Sequence, residues 1–384
     1  MPSPLRILTV IGARPQIIKA AAMSRAIAGI GRDRMVETLL HTGQHYDANM
    51  SQVFFDELGI PPADINLNTG SGAHGAMTAR MIEGIEQVLL RREHDVMLLY
   101  GDTNSTLAGA VAAAKLHVPV AHVEAGLRSF DKRMPEEINR IVCDHCSTWL
   151  FCPTDTAVAN LRNEGFSTSF DSPPTADRPH VVQCGDVMYD NSLHFAALAS
   201  ERSSILEGLG LSANGFVLVT VHRDHNTDDA VRLNAIFRAL LDLHRRHALD
   251  LVLPVHPRTR KMMELLLEPE LRNAIMDSPR FHLVPPAGFL DMIALESNAR
   301  LVITDSGGVQ KEAYFFGKPC VILRPGTEWV ELVERDQALL ADADPERIAS
   351  GADRYLRDGV TACPPLFGDG HAAERICHEL LRTW

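Results

Sequence analysis

Short apolar runs rich in β-branched residues alternate along the chain with longer amphipathic stretches. Strand-like runs fall at 7–11, 36–41, 96–100, 118–123 and 149–152, each followed by a stretch with helical spacing, and a second series follows at 216–221, 249–255, 282–284, 301–304 and 320–323. Runs this continuously apolar suit strands covered by helices on both faces, so the pattern predicts parallel sheets in an α/β architecture. Two series predict two doubly wound sheets. Between them lies a polar, proline-bearing stretch at 170–179, then a strand-like 180–183 ending at Cys184-Gly185. The expected division is therefore an N-terminal domain over 1–185, a second domain over 186–369, and a last helix, 370–384, that can pack back on the N-terminal domain.

With 384 residues, 46% hydrophobic and 22% charged, the chain can bury two cores and has no signature of disorder. The formal net charge of −12 has the wrong sign for wrapping nucleic acid or an anionic membrane, so an anionic ligand must be held by a few local donors. No apolar run reaches the ~18 residues of a membrane span, and no cleavable signal pattern precedes the first strand, which predicts a cytoplasmic protein. Seven cysteines at irregular spacings fit that compartment. Cys143 and Cys146 form a CxxC, but a second pair at matching spacing is missing, and the segment reads as a helix whose i, i+3 cysteines turn a small apolar face inward. No metal is expected.

In open parallel sheets, ligands bind at the carboxyl ends of strands, so the chemistry is sought in the strand-end loops. After the first strand, Gly12-Ala13-Arg14-Pro15-Gln16 opens a helix with Lys19 one turn in, an anion-favouring arrangement of free N–H groups, Arg14 and Lys19. Asp102 follows the 96–100 strand and is either an N-cap or a functional acid. Glu124 ends the next strand, and Glu136 and Glu137 open a helix at Pro135. Together these carboxylates point to acid/base work, because neighbouring acids split their pKa values. In the second half, His222 and Arg223 end a strand where they can reach a diphosphate or shuttle a proton. Ser306-Gly307-Gly308 aims backbone N–H groups at a phosphate, and Glu312, one turn later, can accept from two sugar hydroxyls. His256 reads as a satisfied strand-end histidine. Gly70-Ser71-Gly72-Ala73-His74-Gly75 matches G-x-G-x-x-G, yet the polar 65–69 before it is a poor central strand, so no dinucleotide site is assigned there.

The ordered motifs Gly12–Lys19, Gly101-Asp102-Thr103, His122–Arg128, Pro135–Arg140, His222-Arg223, Thr304–Gly308 and Gly368-Asp369-Gly370 resemble the non-hydrolysing UDP-N-acetylglucosamine 2-epimerases. The resemblance implies a GT-B fold, two facing Rossmann-like doubly wound domains with an interdomain cleft, a UDP-sugar as substrate, commonly a homodimer, and no cofactor. Its chemistry is elimination of UDP to a 2-acetamidoglucal, then re-addition with a proton on the other face of C2. Carried over, the catalytic groups are Asp102, Glu124, Glu136 and His222, and substrate is held by Arg14, Lys19, Arg223, Ser306, Gly307, Gly308 and Glu312. A hydrolysing 2-epimerase and a GT-B glycosyltransferase are the alternatives. Gln16, Gln310-Lys311 and Thr327–Glu331 are spelled closer to the subgroup acting on UDP-2,3-diacetamido-2,3-dideoxyglucuronate, with Arg128 or Lys132 expected to meet a sugar carboxylate. Gln44-His45 is followed by Tyr46 rather than the arginine that accompanies substrate activation in several bacterial members, and that regulation is not expected here.

Overall fold

A computed structural model describes residues 3–43, 62–170 and 173–384. The chain divides into two compact units, residues 1–191 with 365–384, and residues 192–364. Gln44-His45-Tyr46 lies outside the described residues. Unit 1 holds β1 (Leu5–Ile11), β2 (Met35–His41), β3 (Ile65–Asn66), β4 (Val96–Tyr100), β5 (Val120–Val123), β6 (Trp149–Cys152) and β7 (His180–Gln183) in the order β3-β2-β1-β4-β5-β6-β7. Every pairing is parallel, for example Ile7 opposite Glu37 and Val96.

Unit 2 holds β8 (Phe216–Thr220), β9 (Asp250–Pro254), β10 (Phe281–Val284), β11 (Leu301–Thr304), β12 (Cys320–Ile322) and β13 (Ala338–Leu340) in the order β10-β9-β8-β11-β12-β13, again all parallel. Ile65–Asn66 and Ala338–Leu340 are short edge strands that periodicity does not announce.

β4, β8 and β11 are buried at every position, as expected for strands with helices on both faces. The alanine-rich helix Asn104–Lys115 approaches its sheet closely, since a Cβ on Gly109 would lie 2.6 Å from Leu99. Cys143 joins the core of unit 1 with Met81, Ile85, Met97 and Leu99, while Cys146 packs partly buried against it. The cysteine pair thus turns an apolar face inward. Among the described residues no helix is long and apolar enough to cross a membrane.

In each sheet the strand order reverses once, between β1 and β4 in unit 1 and between β8 and β11 in unit 2. Loops diverge there at the carboxyl ends and leave a crevice. Those strand ends carry Gly12–Gln16, Gly101-Asp102, His222-Arg223 and Asp305–Gly308.

The unit boundaries differ from 185 and 369, falling after Asn191 and before Pro365. The reason is polar anchoring. Asn191 is buried, donates to the Ile18 carbonyl at 2.6 Å and accepts from Arg25 at 2.7 Å, so the start of the helix Val187–Arg202 stays with unit 1. Asp190 accepts from the N–H groups of Ala372 and Ala373 at 3.0 and 2.8 Å, which fixes the start of the last helix, Ala372–Thr383. That helix packs on the helix Arg14–Ile30, and its Thr383 and Glu379 hydrogen-bond Trp149 and His180. The two passages between units run side by side within unit 1. Gly185, at φ +91°, has no room for a Cβ, which would lie 2.8 Å from the Phe367 carbonyl oxygen.

Candidate active site

In unit 1 the chain leaves β1 through Gly12, where a Cβ would meet the Ser105 and Thr42 hydroxyls at 2.1 and 2.2 Å. Buried Gln16 then fastens the loop. Its Oε1 accepts from the N–H groups of Gly12 and Ala13 at 2.9 and 3.2 Å, and its Nε2 donates to the Tyr100 carbonyl and the Thr106 hydroxyl, both at 3.0 Å. All four bonds need an amide at this position. Arg14 is exposed on the first turn of the helix Arg14–Ile30. Lys19 is paired with Glu124, both largely shielded from solvent. The expected anion donor and one expected acid therefore meet, and they lie against Gly101, where a Cβ would come within 3.1 Å of each.

Glu124 occupies the left-handed region at φ +74°, a conformation that costs a non-glycine residue on the order of 1 kcal/mol or more. The turn is held because the N–H groups of Glu124 and Ala125 both donate to the Phe151 carbonyl, at 3.1 and 3.0 Å. Asp102 is not the N-cap. Thr103 takes that role for the helix Asn104–Lys115, accepting from the Thr106 N–H. The Asp102 carboxylate instead pairs with Arg140, and its carbonyl accepts from Asn139 at 2.8 Å.

The structure separates the two acids of Pro135-Glu136-Glu137. Glu137 is buried and accepts from the N–H groups of Ser129 and Phe130 at 2.9 and 3.0 Å and from Arg140 at 2.5 Å. Burial alone would raise its pKa, but these donors hold it below the ordinary carboxylate value. Glu136 is exposed. Arg140 thus bridges Asp102 and Glu137, a role that sequence reading left unassigned although Arg140 stands in the quoted motif. Arg128 is corrected: its fully buried guanidinium binds Asp144 and Glu164 at 2.7 and 2.6 Å and is not available to a sugar carboxylate.

In unit 2, buried Asp305 organises the loop after β8. Its carboxylate accepts from the N–H groups of His222, at 3.1 and 3.0 Å, and Arg223, at 3.0 Å, and from Asn226 Nδ2 at 3.1 Å, and it lies 3.1 Å from His222 Nδ1. Burial would raise the Asp305 pKa, yet His222 and these other donors hold it below the ordinary value. The His222 ring is half-exposed, with Nδ1 on the side of Asp305. Arg223 is exposed beside it.

Ser306 precedes the helix Gly307–Phe315. A Cβ on Gly307 would lie 2.2 Å from Glu328 Oε1, whereas one on Gly308 would meet nothing nearer than Glu312 Oε2 and Ser306 Oγ, each at 3.9 Å. Gly308 is therefore an open backbone patch at a helix N-terminus, bordered by a hydroxyl and a carboxylate, a geometry suited to a phosphate next to a polyhydroxylated group. Trp329 braces the turn by donating to the Gly307 carbonyl at 2.9 Å, and Thr327 donates to Gln310 at 2.6 Å. Asp305 and Trp329 carry no predicted role, yet they hold residues that do. His256 caps the helix Pro257–Leu266 by accepting from the Arg258 N–H at 3.4 Å.

Two parallel-sheet α/β units, each with a crevice at the carboxyl ends of its strands, are the architecture of the GT-B class. The chain belongs to the UDP-N-acetylglucosamine 2-epimerase family, whose model matches residues 30–381. It is 48% identical over 379 residues to the UDP-2,3-diacetamido-2,3-dideoxy-D-glucuronate 2-epimerase of Pseudomonas aeruginosa, covering 98% of this chain and 100% of that protein. The UDP-GlcNAc 2-epimerase of Methanocaldococcus jannaschii, solved in complex with UDP-GlcNAc and UDP, superposes with a TM-score of 0.79 at 35% identity, covering 98% of this chain and 100% of that one. A Phytolacca americana UGT2 structure shares the fold alone, with a TM-score of 0.60 at 13% identity, covering 100% of this chain and 94% of that one.

Proposed function

We propose that the chain is a non-hydrolysing UDP-sugar 2-epimerase whose substrate is UDP-2,3-diacetamido-2,3-dideoxy-D-glucuronate, converted to its manno epimer. The observation that carries the substrate is the end-to-end 48% identity to the P. aeruginosa enzyme of that name, against 44% for a UDP-GlcNAc 2-epimerase homologue of Methanococcus maripaludis and 38% and 36% for the UDP-GlcNAc 2-epimerases of M. maripaludis and M. jannaschii.

The reaction follows from the sugar's chemistry. H2 of a UDP-N-acetylhexosamine is not beside a carbonyl. Of the two routes that make it removable, transient oxidation of a neighbouring ring carbon and loss of UDP, the resemblance implies the second, in which a base removes H2 as the C1–O bond breaks and UDP departs, leaving a 2-acetamidoglucal. A proton then adds to the opposite face of C2, and the diphosphate oxygen returns to C1. This route is redox-neutral. It needs acid/base groups, assigned to Asp102, Glu124 and Glu136, and stabilisation of charge on departing UDP, assigned to Arg14, Lys19, His222, Arg223 and the Ser306–Gly308 turn. Glu312, beside Gly308, is assigned to the ribose hydroxyls. The same reading makes the protein a cytoplasmic homodimer that supplies precursors for bacterial surface polysaccharide such as O-antigen.

The test is to offer both the diacetamido glucuronate and UDP-GlcNAc in deuterated water. Deuterium at C2 of the recovered UDP-sugar, with faster turnover of the glucuronate, is expected. Release of free sugar and UDP would identify a hydrolysing enzyme, and transfer to an acceptor without exchange at C2 would identify a glycosyltransferase.

A further inference from the structure

Beneath the turns that carry Asp102 and Glu124 lies a buried cluster of charges. His122, on β5, and Asp144, on the helix Pro135–Cys146, have side chains with no solvent exposure, and Arg128 joins them equally buried. His122 Nε2 lies 2.8 Å from the Gly101 carbonyl oxygen, and Nδ1 lies 2.7 Å from Asp144 Oδ1. A carbonyl oxygen only accepts, so Nε2 carries a proton. Asp144 Oδ2 accepts from Arg128 at 2.7 Å and from the Gly126 N–H at 3.2 Å, an environment that keeps this carboxyl ionised. An ionised Asp144 offers His122 only acceptor oxygens, so Nδ1 carries a proton as well.

We infer that His122 is a positioning residue for the 2-epimerase reaction, held as a buried imidazolium that ties the Gly101-Asp102 turn, through Asp144, to the Glu124–Gly126 turn. The inference rests on Asp102 and Glu124 being the reacting acids. Burial works against charge on the ring, while buried Cys143, on the same helix as Asp144, and the Asp144 carboxylate both favour it, so the His122 pKa stands well above the ordinary histidine value. The charges balance: His122 and Arg128 face Asp144 and Glu164, the latter 2.6 Å from Arg128 Nε. A buried charge set of this kind contributes little net stability compared with apolar packing. Its geometric effect is definite. Gly101, at φ +58°, and Gly126, at φ +78°, form the turns beside Asp102 and Glu124, and each is bonded through its backbone to one end of the His122–Asp144 pair.

Two measurements on the full-length protein test this. In long-range nitrogen–proton correlation spectra of histidine-labelled wild type, with His122 assigned by the signal missing from H122Q, the ring should remain doubly protonated at a pH above the ordinary histidine pKa of about 6.5, where a solvent-exposed histidine is neutral. A neutral ring at that pH overturns the imidazolium. In turnover assays, H122Q and D144N should lower kcat by about 100-fold with KM for the UDP-sugar changed less than about threefold, the pattern of misplaced reacting groups. An active wild type and a folded H122Q of equal kcat overturn the positioning role alone. Failure of wild type to epimerise any UDP-sugar overturns the functional reading and the role with it, while the spectra still decide the protonation state.

Discussion

Gln16 donates its side-chain N–H to the Tyr100 carbonyl at 3.0 Å, and so locks the loop after β1 to the end of β4. That bond crosses the point where the strand order of unit 1 reverses. Gln16→Leu keeps an apolar stem but orphans the buried N–H groups of Gly12 and Ala13 and the Tyr100 contact. It should lower stability by at least about 2 kcal/mol and reduce turnover. An unchanged urea midpoint would show that these bonds do not hold the loop.

The two adjacent glutamates should behave oppositely. Glu136→Gln removes an exposed acid, so stability should stay within about 0.5 kcal/mol while kcat falls by about 10²- to 10⁴-fold. Glu137→Gln weakens the anchor of Ser129, Phe130 and Arg140 and should cost about 1–3 kcal/mol. Melting curves and turnover on both variants separate the roles, and a stable, slow E137Q beside a normal E136Q would reverse them.

Asp305 gives stability a sign with pH. Its folded pKa is depressed, so its contribution is complete above the unfolded aspartate value of about 3.9 and drains away as pH falls through the lower folded value. Asp305→Asn, which does not titrate, should be less stable than wild type by about 1–3 kcal/mol at pH 7. The gap should narrow once pH drops below about 3.9. Denaturant titrations of both proteins at neutral and acid pH check this, and a gap that stays constant would rule out the linkage.

Gly308→Ala adds a methyl group that meets no protein atom within 3.9 Å. Stability should therefore change by less than about 0.5 kcal/mol. The methyl would stand where a phosphate approaches the helix N-terminus, so affinity for UDP should fall at least about tenfold. Calorimetry with UDP reads this directly, and unchanged affinity would place the diphosphate elsewhere.

The parts of this molecule legible in the sequence are those whose physics is local. Doubly covered strands are continuous apolar runs, and strand-end loops announce themselves by Gly, Asp and His, which is why Asp102, His222 and Ser306 could be picked out. Edge strands are another matter: Ala338–Leu340 is three residues long and half-buried, too short for a period to register. The supports of the site are also illegible, because they are made by pairs distant in the chain. His122 meets Asp144 across 22 positions and Arg128 meets Glu164 across 36. Arg128, read alone, looks like a ligand-facing cation at a loop; only its partners reveal a buried strut.

The paired passages at Gly185 and Gly368 bear on how the protein is made. Unit 1 is split in the chain, with unit 2 inserted ahead of the helix Ala372–Thr383 that completes it. On the ribosome, the domain begun second is therefore the first able to finish folding. The helix Arg14–Ile30 must wait for its packing partner until nearly the whole chain has emerged.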